Sequence, residues 1–405
     1  MTKNDSMKFL IFNFWWSSNY GAMLTAYSLK LILNYYTQNI KLVENKTFTE
    51  FLINLPSKFV KNFSNSYFQI LKNLNFYSDY LSLYNKSIFI TGSDQVFRPI
   101  YCPNKLEQYL LDFAKPEAKK IAFSASFGVG KEHFLKENSK EIIEHMKKSL
   151  QSFDFISVRE KSGVEICKEV LGVDAEWIID PVFILEKAKY DKLINNATKD
   201  YSNKIVSYVL DNNKSYDKAY RHFEKQYGSK VVKLADSNES VENWLSAIKS
   251  CKLFVTDSFH GLCFALILNK PFICISNKSR GAARFDSILE MLNIENQCIN
   301  SIDETYTKDC IFKVDYEKVN QRIEEERQKG LAFLQKALES PIGKFEEKQA
   351  VRTQYLEETV CKLEQQANLK YQIKQELWNL WLIIFHKYLP EPVKFIIKTL
   401  RGNRG

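Results

Sequence analysis

Between residues 87 and 292, short apolar segments alternate with segments of helical spacing, and few folds tolerate that rhythm. Strands are expected at Ser87–Ile90, Lys120–Ser126, Phe153–Val158, Asp174–Ile179, Ile205–Leu210, Lys230–Leu234, Lys252–Thr256 and Phe272–Ile275. Between them, helices are expected at Glu132–Ser149, Glu160–Leu171, Tyr216–Tyr227, Val241–Ser250, Gly261–Leu268 and Ala283–Leu292. Upstream, Lys8–Phe14 and Asn39–Val43 read as strands around a helix at Gly21–Tyr35. Strands bounded by helices require parallel sheets covered on both faces. Such sheets take ligands beyond the carboxyl ends of their strands. The 405 residues, 45% of them hydrophobic, suffice for two such domains and an extension. The spacing places the domains at 1–180 and 181–340, with the junction at Asp180-Pro181 and a charged closing helix at Glu317–Ser340.

Residues 341–405 differ in composition. Lys344–Glu376 is rich in Glu, Gln and Lys and reads as a solvated helix or a short coiled coil. The stretch 377–405 carries Trp378, Trp381, clustered aliphatics and flanking Lys and Arg. That pattern suits contact with a membrane surface, and equally docking onto the core or onto a second copy in a homo-oligomer. No apolar run reaches the roughly 20 residues needed to span a bilayer, and no signal peptide is evident. A cytoplasmic protein is expected, with peripheral contact at the inner membrane face if the tail engages lipid. Eight scattered Cys without a Cys-x-x-Cys pair fit buried free thiols in a reducing compartment.

The formal charge of +9 suits an anionic ligand. Basic runs interleaved with aromatics are missing, so nucleic acid is not an expected partner. Phosphate-binding Gly-x-x-x-x-Gly-Lys-Ser/Thr, Gly-x-Gly-x-x-Gly and His-Glu-x-x-His patterns are missing too, as is an Asp-x-Asp metal signal.

The sharpest local signal is Phe254-Val-Thr-Asp-Ser-Phe-His-Gly261. A strand runs into a polar turn and then a buried helix, a geometry that aims backbone N–H groups at an anion. His260 on that turn is the candidate proton-transfer group. Asp257 and Ser258 either cap the helix or position a ligand, and Gly261 opens it. Arg159 ends a strand, where it either meets a ligand or pairs with Glu160. Arg280 and Arg284 flank Gly281 and form either an anion clamp or an exposed basic loop. Asn19, Tyr20 and Gly21 open the first helix, and Asp94 lies in a strand-end turn where it either orients a hydroxyl or caps.

These segments together resemble the polysaccharide pyruvyl transferase family. The matching loops are Asn19-Tyr20-Gly21, Thr91-Gly-Ser-Asp-Gln-Val-Phe97, Ser157-Val-Arg-Glu-Lys-Ser-Gly163, Asp180-Pro181, Thr256-Asp-Ser-Phe-His-Gly261 and Arg284-Phe285. They run in family order from residue 8 to about residue 295. The resemblance implies two Rossmann-like domains in a glycosyltransferase-B-like arrangement, with the acceptor on the first and the donor on the second. It implies transfer of the enolpyruvyl unit of phosphoenolpyruvate to two sugar hydroxyls of a surface-polysaccharide precursor, often lipid-linked. No cofactor beyond that donor substrate, and no metal, is expected. The family's proposed catalytic His falls on His260 and its mid-chain basic residue on Arg159. Some members carry Arg two residues before that His, in an Arg-Leu-His form. This chain has Ser258-Phe259-His260, so Arg284 or Arg280 is expected to take over the donor contact. Two other readings stand beside this one: a nucleotide-sugar-dependent glycosyltransferase of the same fold, and a non-catalytic, membrane-docked polysaccharide-assembly protein.

Overall fold

The computed structural model describes residues 8–15, 19–43, 58–71, 87–102, 105–114, 118–211, 213–235, 237–276, 281–306 and 314–340. Contacts divide the chain into two compact units, Met1–Arg352 and Thr353–Gly405. The expectations for 341–405, including the membrane-facing stretch, lie outside the described residues, as does Arg280.

The first unit contains two sheets whose strand pairs are all parallel. Strands β1 (Lys8–Phe12), β2 (Ile40–Val43), β3 (Ile70–Leu71), β4 (Ser87–Thr91), β5 (Lys119–Ala125), β6 (Phe155–Val158) and β7 (Glu176–Trp177) form the first, in the order β3-β2-β1-β4-β5-β6-β7. Strands β8 (Ile205–Tyr208), β9 (Val231–Lys233), β10 (Leu253–Thr256) and β11 (Phe272–Cys274) form the second, in the order β11-β10-β8-β9. The inner strands β4, β5, β8 and β10 are buried throughout because helices cover both faces. The expected class, α/β with two parallel Rossmann-like sheets, is what the chain adopts.

Each sheet reverses its strand order once, the first between β1 and β4 and the second between β8 and β10. At such a point the connections leave in opposite directions and open a crevice. The largest hydrophobic cluster joins the two sheets rather than serving one. Met23 and Leu24 of the Tyr20–Leu33 helix share it with Leu262 and Leu266 of the Phe259–Ile267 helix and with Trp244. The helix Tyr316–Glu339 follows the second sheet in sequence but returns to the first. Its Phe333 stacks at 6.0 Å on Phe123 of β5, and its Gly330 lies against Ile184 and Ile178.

Several expected elements are corrected. The helix read at Glu132–Ser149 is two helices, Lys131–Glu137 and Lys140–Gln151. Asn138 is extended there, and Ser139 caps the second helix through Ile142 N. The segment Glu160–Leu171 is a short α-helix, Lys161–Glu165, that widens into a π-helical turn at Ile166–Val170. Of Asp174–Ile179 only Glu176–Trp177 pairs as strand. The helices Pro181–Ile184 and Lys187–Ile194 escaped the sequence reading. The first is a single turn opened by proline, too short for periodicity to register. The six described cysteines are free thiols.

Candidate functional site

A cleft of about 290 Å³ opens where both strand-order reversals meet. The first sheet contributes Phe14 and Asn19 after β1 and Asp94, Gln95 and Tyr101 after β4. The second contributes Leu210 after β8, Asp257 to His260 after β10, and Arg284 with Phe285.

The β10 turn is held rigidly. Thr256 Oγ1 donates to Tyr208 O at 2.8 Å and accepts from Ser258 N at 3.0 Å. Ser258 caps the Phe259–Ile267 helix, accepting from Gly261 N at 3.4 Å. Gly261 does not line the cleft. A Cβ there would stand 2.3 Å from Thr256 Oγ1, so this position requires glycine for packing. Asp257 is not the helix cap. Its carboxylate accepts from Leu210 N at 2.8 Å and Asp211 N at 3.0 Å, tying the end of β8 to the end of β10.

Behind the cleft lies a buried charge network. Arg159 donates to Asp180 at 2.5 Å, to Asp94 at 3.2 Å and to Ser93 Oγ at 3.2 Å. Its partners are therefore Asp180 and Asp94, not the adjacent Glu160, whose carboxylate turns to Ser126 Oγ at 2.7 Å and to Gly128 N. Burial opposes the Arg159 charge, but Asp180, Asp94 and Glu160 outweigh it and hold the guanidinium protonated. Burial likewise pushes Asp180 up, yet Arg159 and His260 win and hold it well below the usual carboxylate range. Asp94 takes a left-handed backbone, φ 87°, which turns its carboxylate onto Arg159 and its own neighbour Gln95 N. Burial raises Glu160, with Arg159 working against that rise. His260 joins the network from the cleft side. Its Nε2 lies 3.0 Å from Thr25 Oγ1 and 3.6 Å from Asp180 Oδ2.

Arg284 is the described guanidinium that lines the cleft. Burial and the charge of Arg159 bring it down to about 10, so it stays cationic at neutral pH. The Arg159 and Arg284 guanidinium carbons lie 4.9 and 5.2 Å from the centre of the same ring, Phe259. An aromatic face favours cations, which eases the approach of two like charges. Phe259 stands where the Arg-Leu-His form has leucine.

At the first helix, Asn19 lines the cleft and caps the helix through Gly21 N at 2.9 Å and Ala22 N at 3.3 Å. Tyr20 does not line the cleft. Its ring stacks on Phe59 at 4.7 Å and Trp244 at 5.2 Å, and its hydroxyl donates to Glu239 O at 2.8 Å. It joins the two sheets instead. Gly21 lies under the His260 ring, where a Cβ would fall 2.1 Å from Nδ1. Gly21→Ala should therefore displace the imidazole, lowering stability by about 1–3 kcal/mol. A melting temperature equal to wild type would show that the ring yields without cost.

Thus His260, Asp94, Arg284, Ser258 and Asn19 meet at one cleft, while Arg159, Tyr20, Gly21 and Gly261 support it from behind. Sequence alone assigns no site role to Thr25, Asp180, Phe259 or Tyr101. Asp180 carries a signal, an acid before proline at the domain junction and in a matching loop. Thr25 carries a fainter one, a hydroxyl on a largely apolar buried helix. Among the described residues no group of three or more His, Cys, Asp or Glu is arranged to hold a metal ion. Nor is any described helix long and apolar enough to cross a membrane.

The structure resembles UDP-GlcNAc 2-epimerase from Neisseria meningitidis, with a TM-score of 0.53 at 12% identity, over 82% of this chain and 100% of that one. This likeness shows a shared fold. Weaker likenesses include E. coli ADP-heptose lps heptosyltransferase II (TM-score 0.32, 11% identity, 80% of this chain and 99% of that one). Another is a ugt transferase from Siraitia grosvenorii (TM-score 0.38, 10% identity, 87% and 100%). No curated protein matches the chain. The family model for polysaccharide pyruvyl transferase matches residues 19–279, a span that holds His260, Arg159, Asp94 and Asp180 and stops just before Arg284. The chain belongs to the polysaccharide pyruvyl transferase family.

Proposed function

We propose that this protein moves the enolpyruvyl unit of phosphoenolpyruvate onto two hydroxyls of a sugar in a surface-polysaccharide precursor, free or lipid-linked, closing a pyruvate ketal. The observation that carries this reading is the pairing of one cleft-lining guanidinium, Arg284, with one imidazole, His260, in a member of this family. Arg284 and the N–H groups at the start of the Phe259–Ile267 helix offer anchors for the phosphate or carboxylate. His260 delivers a proton to the donor's methylene carbon, whose C=C electron pair forms the new C–H bond. The carbon bearing the phosphate becomes oxocarbenium-like, and a first sugar hydroxyl adds to it. Phosphate leaves with its bonding pair, and a second hydroxyl closes the ring. The two hydroxyl protons are balanced by the one placed on the methyl group and the one carried off by phosphate. Asp94 is tied to Arg159 in the free protein, so its part in handling the acceptor is to orient rather than to take a proton. Tyr101 and Leu210, two exposed hydrophobic side chains that line the cleft after β4 and β8, are suited to receive the sugar.

A nucleotide-sugar donor is the second reading, because the epimerase likeness is to a protein bound to UDP-GlcNAc. The cleft's volume, at the small end for ligand sites, suits the compact acid better. Thermal unfolding of the full chain should shift upward with phosphoenolpyruvate and stay unchanged with UDP-sugars. A shift with a UDP-sugar alone would replace this reading with the glycosyltransferase one.

A further inference from the structure

We propose that Thr25 and Asp180 fix the His260 imidazole as the tautomer carrying hydrogen on Nε2, leaving Nδ1 as the nitrogen that exchanges a proton with substrate. This deepens the function proposed above and rests on His260 being the proton-transfer group. It adds which atom works and what holds the ring.

Two groups face Nε2: Thr25 Oγ1 at 3.0 Å and Asp180 Oδ2 at 3.6 Å, both buried. The threonine hydroxyl could donate or accept, so alone it would leave the tautomer open. Asp180 breaks that symmetry. Its Oδ2 already accepts from Arg159 Nη1 and Ser93 Oγ, and its Oδ1 from Val182 N. A carboxylate receiving three donors is ionised and has no hydrogen to offer. An unprotonated Nε2 would turn its lone pair toward that anion, so the hydrogen between them belongs to the imidazole. A carboxylate behind a histidine commonly sets ring orientation and tautomer in this way.

The other nitrogen is left for chemistry. Among the described residues Nδ1 has no hydrogen-bond partner, and it stands over Gly21, the residue that leaves room for it. When the imidazolium gives up its Nδ1 proton to the methylene carbon, it returns to the neutral Nε2–H form without turning. It can then accept a hydroxyl proton at the same atom. Asp180 orients the ring, and Thr25 keeps it from rotating. Both are positioning residues, since neither lines the cleft.

The test uses full-length protein labelled with ¹⁵N-histidine and long-range ¹H–¹⁵N correlation, with His260→Gln identifying the resonances among the five histidines. Wild type should show the Nε2–H pattern when neutral. Thr25→Val, close in shape, should give a mixed or averaged pattern. It should also lower the rate of phosphate release about 10- to 100-fold, with the KM for phosphoenolpyruvate nearly unchanged, and Thr25→Ser should restore both. An Nδ1–H pattern in wild type overturns the proposal, as does a Thr25→Val protein with the wild-type pattern and rate. If wild type releases no phosphate from phosphoenolpyruvate with acceptor present, the function proposed above fails, and the tautomer measurement still decides this one.

Discussion

Arg159→Met should lower the unfolding free energy by about 3–5 kcal/mol, the range for removing one partner of a buried ion pair. Methionine fills similar space, so the loss would come from charge rather than from a cavity. Asp180 and Asp94 would both lose their cation inside the protein. The pH dependence should change with it. Asp180 is held below its ordinary value in the folded state, since Arg159 and His260 overcome the effect of burial. The unfolded chain therefore binds the proton first, and the stabilisation is complete above the unfolded carboxylate pKa of about 3.9. It is lost as pH falls below that value. Without Arg159 the burial effect is opposed only by His260 and the remaining hydrogen bonds, so this carboxylate should hold its proton to higher pH. Acid should then weaken the variant less than the wild type. Urea unfolding at pH 7 and at about pH 3, below the unfolded carboxylate pKa, measures both effects. Equal midpoints for wild type and variant at pH 7 would show that the network contributes little to the fold.

His260→Gln should reduce phosphate release from phosphoenolpyruvate in the presence of acceptor by 10²–10⁴-fold, the usual value of a positioned acid–base group. Glutamine retains bulk and a hydrogen-bonding end that can reach Thr25, so the melting temperature should change little. Donor affinity by calorimetry should also hold, because Arg284 and the helix start remain in place. Turnover near wild type would remove the imidazole from the chemistry and leave it as packing over Gly21. A parallel loss of donor affinity would point instead to His260 as part of the anion anchor.

Much of the architecture was legible along the chain. Strands buried on both faces carry short runs dominated by apolar residues, and Ile88–Ile90 of β4, Ile121–Phe123 of β5 and Leu253–Val255 of β10 stand out for that reason. The β10 turn was legible because strand, polar turn and apolar helix follow one another within a dozen residues. Errors fell where a local device overrides periodicity. The serine cap at Ser139 splits a helix, and a proline-led single turn at Pro181–Ile184 leaves no pattern to detect. Tyr20 was read with the helix start to which it belongs, but its neighbour Trp244 lies in a distant segment.

By itself, then, the order of apolar and polar residues determined two parallel sheets and placed His260, Arg284 and Asp94 at strand ends, because burial and capping act over neighbouring residues. Only the tertiary structure decided that Arg159 answers to Asp180 and Asp94, that Phe259 carries two guanidinium groups, and that Thr25 and Asp180 face His260. Those partners come from segments whose proximity depends on strand order and on the packing of one sheet's helices against the other's. Coulombic and hydrogen-bond forces act across the space so created, and a linear reading has no access to it.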